Sequence, residues 1–219
     1  ANYTLQFAEG TGSDATSGSG IINAGLPNLR TIFPYNYDQR HAFAITLDYR
    51  YGGGTDYNGP MIGDFGVLEN TGLNILSNIY SGSPYSDQTK ITSEGLISPN
   101  SAGLEGTTNG SRLPWSYRLD LQLDRQFTIE IGKEDKKRAT MLNVYVRVTN
   151  LLNQMNFLSV YRATGNWDDD GYLAAAASQS SIQNQADEQS FRDYYTMKVQ
   201  DPSNVSSPRT IRLGVKFDF

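Results

Sequence analysis

An all-β chain of antiparallel, two-faced strands is predicted by three features of the sequence. The first is the terminal stretch Thr210 to Phe219, where Ile211, Leu213, Val215, Phe217 and Phe219 alternate with Arg212, Gly214, Lys216 and Asp218, the period-two pattern of a strand with one apolar and one polar face. The second is the recurrence of that pattern at 41–51 and 117–131. The third is composition: aromatic residues make up 11% of the chain, with Gly 21, Tyr 14 and Phe 9, yet the mean hydropathy is -0.48. Strands that set an apolar side against lipid and a polar side against a wet interior average out in this way. The predicted class is therefore a segment of an antiparallel transmembrane β-barrel.

Bulk properties exclude several alternatives. The 219 residues carry a net charge of -5, without the basic excess that a nucleic-acid partner requires. Cysteine is absent and His41 is the single histidine, which excludes a disulfide framework, a thiolate metal site and a His-rich zinc site. No apolar run approaches the roughly 18 residues of a membrane helix. The chain opens on Ala1-Asn2-Tyr3 without a charged or apolar leader, so any signal peptide is expected upstream.

Taken in order, Tyr3, Leu5 and Phe7 alternate with Thr4, Gln6 and Ala8 as an opening strand. Glu9 to Gln39, rich in Gly, Ser, Asn and Pro, reads as a long surface loop. Phe43, Ile45, Leu47, Tyr49 and Tyr51 then oppose Ala42, Ala44, Thr46, Asp48 and Arg50, with the two tyrosines at one end suiting an aromatic girdle. Gly52 to Gly72 is expected to be a Gly-rich connection with one helical turn around Met61 to Leu68. A weaker strand is predicted over Leu73 to Tyr85, its apolar face interrupted by Ser77 and Ser81.

Ser86 to Pro114 reads as another polar loop. Trp115 opens the clearest internal strand, where Tyr117, Leu119, Leu121, Leu123, Phe127, Ile129 and Ile131 alternate with Arg118, Asp120, Gln122, Asp124, Gln126, Thr128 and Glu130. Arg125 alone falls on the apolar face and is expected at a membrane boundary, where its head can reach water. After a charged turn at Gly132 to Ala139, Leu142, Val144, Val146 and Val148 resume the pattern. A phase slip at Asn150 to Asn153 suggests a bulge, with the strand continuing from Phe157 to Arg162. Gly165 to Pro208 is the longest connection, with helix expected around Tyr172 to Asp193. The total is about six strands joined alternately by long loops and shorter turns.

Motifs for chemistry are sparse. No G-x-S-x-G elbow occurs, and nucleophile activation lacks a positioned base, so no catalytic residue is assigned and the chain is not expected to be an enzyme. His41 reads as a strand-end polar residue. The glycine clusters at Ser17 to Gly20 and Gly52 to Gly54 match no nucleotide-binding fingerprint. Asp48, Arg50, Arg118, Asp120, Gln122, Asp124, Arg147, Arg212 and Lys216 are read as polar residues facing the lumen. Asn166, Asp168 and Asp170, followed by Gly171, have the N-x-D-x-D-G start of a calcium loop. Position twelve is Ala177 rather than glutamate, so an acidic surface loop is preferred to calcium, and no other cofactor is expected.

Several segments together carry a family resemblance: YTLQFAEGTGS at Tyr3, YDQRHAFAITLDYRYG at Tyr37, NGSRLPWSYRLDLQLDRQF at Asn109, LNVYVRVTNLLN at Leu142, YRATGNWDDDGYL at Tyr161 and SPRTIRLGVKFDF at Ser207. They resemble the C-terminal end of TonB-dependent receptors, specifically the Oar-like branch with a carboxypeptidase-regulatory-like N-terminal domain. NLLN looks like the family's NLF(D/N) signature, with Leu152 where Phe is usual. The resemblance implies that residues 1–219 form the last six strands of a plugged barrel of about 22 strands, as a fragment or one piece of a split protein. It also implies that the loops at about 9–39, 86–114 and 165–208 are extracellular, and that the turns at Gly52 to Gly72 and Gly132 to Ala139 are periplasmic.

The expected function is part of an outer-membrane transporter of a Gram-negative bacterium that takes up a bulky substrate. Its partners would be the plug and remaining strands of the same receptor, the inner-membrane TonB system and membrane lipid, with other outer-membrane proteins or lipoproteins as further candidates. Ile211, Leu213, Val215, Phe217 and Phe219 would form the closing strand and assembly signal. A structural or scaffolding barrel and a soluble β-sandwich binding module are the alternatives.

Overall fold

A computed structural model describes residues 1–12, 31–91, 103–131 and 138–218, together with residues 19, 23 and 93. Phe219 lies outside the described residues, as do 132–137 of the predicted turn and much of the first long loop. Six strands form one antiparallel sheet in chain order: β1 (Asn2–Leu5), β2 (His41–Arg50), β3 (Thr71–Tyr80), β4 (Ser116–Ile131), β5 (Arg138–Thr149) and β6 (Thr210–Asp218). This is an up-and-down meander. The chain therefore leaves the sheet at one end after Leu5, Tyr80 and Thr149 and at the other after Arg50 and Ile131, with long links in sequence at the first end and shorter ones at the second.

Register fixes the two faces, because directly opposed residues share a side of the sheet. Tyr49, Leu73, Leu123, Val146 and Leu213 stand in one transverse row, and Leu47, Ile75, Leu121, Val148 and Ile211 in the next. Ser77 belongs to this face too, opposite Ile45 and Leu119. The apolar face is bare: Leu47, Tyr49, Ile211, Leu213 and Val215 are each more than half exposed. Among the described residues every other sheet is a two-stranded ribbon, so no second sheet covers this face as a sandwich would require.

The densest apolar core lies elsewhere, in the last long connection. Helices α1 (Gln179–Gln183) and α2 (Glu188–Val199) bury Ile182, Tyr195 and Val199 to 3% exposure or less. Tyr172 stacks on Tyr195 with ring centroids 5.1 Å apart, and Asp187 caps α2 by accepting the Ser190 N–H. Helix therefore occupies this connection, displaced toward its C-terminal side relative to the Tyr172 to Asp193 expectation.

Three boundary predictions are corrected. Met61 to Leu68 is not helical: Met61–Ile62 pairs with Phe65–Gly66 around Gly63, whose φ of +61° makes a tight β-turn instead. The third strand ends at Tyr80 rather than Tyr85, because the Ser81 N–H makes the last bond, to the His41 carbonyl, and Pro84–Tyr85 then pairs with Ser111–Arg112. NLLN is not a bulge in a continuing strand. Asn150 and Asn153 both adopt left-handed φ, 55° and 51°, which turns the chain out of β5, and Phe157 makes only an isolated bridge to Val205.

Candidate functional site

The polar face carries every predicted lumen residue, and the strands organise them in rows. Asp48, Asn74, Gln122, Arg147 and Arg212 stand in transverse register, as do Arg50, Gly72, Asp124, Tyr145 and Gly214. Asp48 accepts from the Asn74 amide at 2.9 Å. Arg147 donates Nε and Nη2 to Gln122 Oε1 at 2.9 and 2.7 Å. Arg118 donates Nε to both Asp120 oxygens at 3.0 and 3.1 Å, while the Asn150 N–H reaches Asp120 Oδ1 at 2.9 Å. Lys216 pairs in register with Asn143.

Asp120 and Asp124 are thereby separated in role. Asp120 is held by Arg118 and the Asn150 backbone. Asp124, only 6% exposed, accepts from Arg50 at 3.0 Å and from Asn143 at 3.2 Å. With cations and amides filling their coordination, these groups tie strands together, and neither is left as a free general acid or base.

Two adjoining hollows open on this face. One, of about 310 Å³, lies among Asn74, Leu76, Asp120, Gln122 and Arg147. The other, of about 500 Å³, runs from Arg118, Arg147 and Arg212 to the segment Ser206–Pro208 that leads into β6. Asn150 shapes its wall by donating to the Gln154 and Ser207 carbonyls at 3.0 and 3.1 Å. Asn156 braces it by bonding both the N–H and the carbonyl of Tyr117, at 2.8 and 2.9 Å.

The apolar face ends in two aromatic clusters. At the long-loop end, Tyr3 stacks on Phe43 at 4.6 Å and His41 on Trp115 at 5.7 Å, with the Tyr3 hydroxyl 2.9 Å from His41 Nδ1. His41 is thus a member of an aromatic belt. At the other end, Tyr49 meets Tyr51 at 5.0 Å, and Tyr51 meets Tyr57 at 5.8 Å. There Arg125 lies over the Phe65 and Phe127 rings at 5.2 and 5.4 Å and donates to the Val67 and Gly66 carbonyls. Its charge is thereby engaged level with the start of β3, where Arg125 is the register partner of Thr71.

The long loops are knotted together by residues that sequence reasoning missed. Asp38, whose side chain is wholly buried, accepts the Ala8 N–H at 2.9 Å and is paired with Arg112, which also donates to the Gly82 carbonyl. Burial alone would raise its pKa. The Ala8 N–H, the Arg112 guanidinium and the Arg40 charge outweigh that effect and hold the carboxyl below its usual range. Asn109, also buried, bonds the Pro34 carbonyl and Asn36 across the loops. Neither residue stands out in the sequence, since both lie in aperiodic loop and their burial arises only when the loops meet.

Of the suggested calcium residues, Asp170 is buried and accepts from the Tyr195 hydroxyl at 2.5 Å and the Tyr172 N–H at 3.0 Å. The Asn166 carbonyl takes the Tyr161 N–H. Among the described residues no three histidine or acidic side chains gather as a metal set. The turn instead anchors the helices. The chain matches no protein-family model, no curated protein and no solved structure.

Proposed function

We propose that this chain is a strand segment of an outer-membrane transporter barrel of the TonB-dependent receptor type, with its apolar face on lipid and its polar face on a wet interior. The observation that supports it is the continuous, uncovered apolar face bounded by aromatic clusters at both ends of the strands. From His41 to Tyr49 or Tyr51 the strand rises roughly 26 to 33 Å. Tilted by roughly 35–45° as barrel strands are, that separates the clusters by about 19–27 Å, a range that includes the height of about 25 Å of an outer-membrane apolar band.

Magnitudes favour lipid over water on this face. Each exposed large apolar side chain forgoes about 1.5–3 kcal/mol of burial. Leu47, Tyr49, Ile211, Leu213, Val215 and Phe217, each half to three-quarters exposed, together forgo about 5–10 kcal/mol, comparable to the whole stability of an ordinary domain. Lipid supplies the missing burial. The polar face needs none, because its side chains bond to one another or to water.

The test uses single-cysteine spin labels along β4, in a background with any cysteine outside these 219 cysteine-free residues replaced by serine. In the complete protein in lipid, labels at 119, 121 and 123 are expected to respond to dissolved oxygen, and labels at 118, 120 and 122 to a water-soluble relaxation agent. Uniform aqueous access along the strand would overturn the membrane reading. For transport itself, the complete protein is expected to co-purify with the inner-membrane TonB system, and failure to do so in energised cells would favour a scaffold.

A further inference from the structure

The larger hollow on the polar face carries positive charge that the sheet does not neutralise. Arg118, Arg147 and Arg212 border it, and Asp120, at its edge, is the one carboxylate lining either hollow among the described residues. Arg118 is already paired with Asp120. Arg147 rests on Gln122, a neutral acceptor, with its guanidinium 5.9 Å from the centre of the Tyr145 ring. Tyr145 in turn lies over Gly214, where a Cβ would collide with the ring.

Arg147 is thus held in place from two sides, and directly opposite it in register stands Arg212. Beyond the backbone ladder, the Arg212 side chain makes no hydrogen bond or ion pair with another described residue. Like charges set directly across two strands oppose their pairing. Nothing in the strand pattern requires two arginines there, since any polar residue would keep the face wet.

We propose that this cleft binds the oxyanion group, carboxylate or phosphate, of a small solute between Arg147 and Arg212. Guanidinium forks match the planar or tetrahedral oxygens of such groups in a bidentate way. The cleft's volume of about 500 Å³ is that of a small-molecule site, and Ser207 adds a polar residue to a wall that carries no carboxylate of its own. The inference rests on the reading that this face lines a water-filled interior, and it adds an anionic class of solute to it.

The experiment is equilibrium binding of inorganic phosphate and of succinate, by calorimetry, to the complete protein folded in detergent micelles, with ionic strength held constant by chloride. Saturable binding of at least one anion is expected, weakened about tenfold or more by Arg212→Gln and unchanged by Lys198→Gln on α2. Preference between the two probes distinguishes a phosphate from a carboxylate source. If Arg212→Gln does not fold, Arg212→Lys carries the test, keeping the charge but losing the fork, and several-fold weaker binding is expected.

Absence of saturable binding by either anion would overturn the proposal, as it would if an acidic segment of the same protein already filled the cleft. Equal binding by wild type and the Arg212 variant would overturn it too. The spin-label pattern on the apolar face is read separately, so failure of the membrane reading and failure of the anion site give different results.

Discussion

Arg50 reaches Asp124 across an intervening strand, passing over Gly72. Its Nη2 lies 3.0 and 3.2 Å from the two carboxylate oxygens, and Gly72 is the register partner of both residues. A Cβ at Gly72 would stand 2.5 Å from Arg50 Nη2 and 2.8 Å from Asp124 Oδ1. Glycine is therefore required here by the ion pair above it rather than by backbone conformation. Gly72→Ala is expected to cost about 1–3 kcal/mol through displacement of that pair. In an Arg50→Gln background, where the shorter side chain leaves room, the same change should cost less; a denaturant titration of the four-member cycle in micelles checks this, and equal costs would contradict it.

The same pair predicts an asymmetry. Arg50 is half exposed and can return to water, whereas Asp124 is buried. Arg50→Gln leaves a buried carboxylate with Asn143 as its remaining side-chain donor, at a cost of about 1–3 kcal/mol. Asp124→Asn leaves only a solvated guanidinium, at a cost of about 1 kcal/mol or less. Unfolding midpoints of the two variants should rank in that order.

On the apolar face, Leu121 stands between Ile75 and Val148 in the middle of the sheet. Thr46, on the opposite face, is exposed. Arginine at a mid-membrane outward position costs about 2–4 kcal/mol, so Leu121→Arg should lower stability in lipid by that amount while Thr46→Arg changes it by less than about 0.5 kcal/mol. Equal losses in a refolding titration would contradict the assignment of faces.

The strand faces were legible because period-two alternation survives in β2, β4, β5 and β6, where successive side chains fall on opposite sides of the sheet. Arg125 could be placed from sequence for the same reason: a long cation on an apolar face has few places to go except an end. The ends of strands were harder. At Leu73 to Tyr85 the alternation runs past the true end, since Ser81 makes the last ladder bond and nothing in the pattern marks it. At Asn150 the phase change was visible, but a bulge and a left-handed turn disturb the alternation alike, and only the asparagine's tolerance of positive φ separates them. The polar residues of the site could be named, but not their partners, because register determines that Arg147 meets both Gln122 and Arg212. The Asp38 knot was illegible, being built from residues far apart in irregular chain.

Asp38 gives a dependence on pH. Its carboxyl is held below the usual range, chiefly against the opposing effect of burial, by the Ala8 N–H, Arg112 and Arg40. A depressed folded-state pKa stabilises the protein above the ordinary carboxylate value, and that contribution is lost as pH falls below it through the lowered value. Stability should thus decline on acidification below about pH 4, and Asp38→Asn should flatten the decline while lowering stability at neutral pH. Midpoints measured for both proteins across that window check the sign; parallel curves would show that Asp38 contributes nothing to it.

Asn150 combines two requirements that one substitution can separate. Its backbone sits at a φ of 55°, which costs a residue such as alanine roughly 1 kcal/mol. Its side chain meanwhile accepts the Gln154 N–H at 3.0 Å and donates to the Gln154 and Ser207 carbonyls, closing the turn and holding the segment that leads into β6. Asn150→Gly keeps the conformation but loses those bonds, leaving buried polar groups unpaired at about 1–3 kcal/mol. Asn150→Ala loses both and should be worse than glycine by about 1 kcal/mol. Asn150→Asp retains an acceptor for the Gln154 N–H but sets a carboxylate against two carbonyl oxygens, so it should fall nearer to alanine than to wild type. Unfolding midpoints of the three variants give the ranking, and alanine equal to glycine would mean that the left-handed backbone at this position contributes no measurable strain.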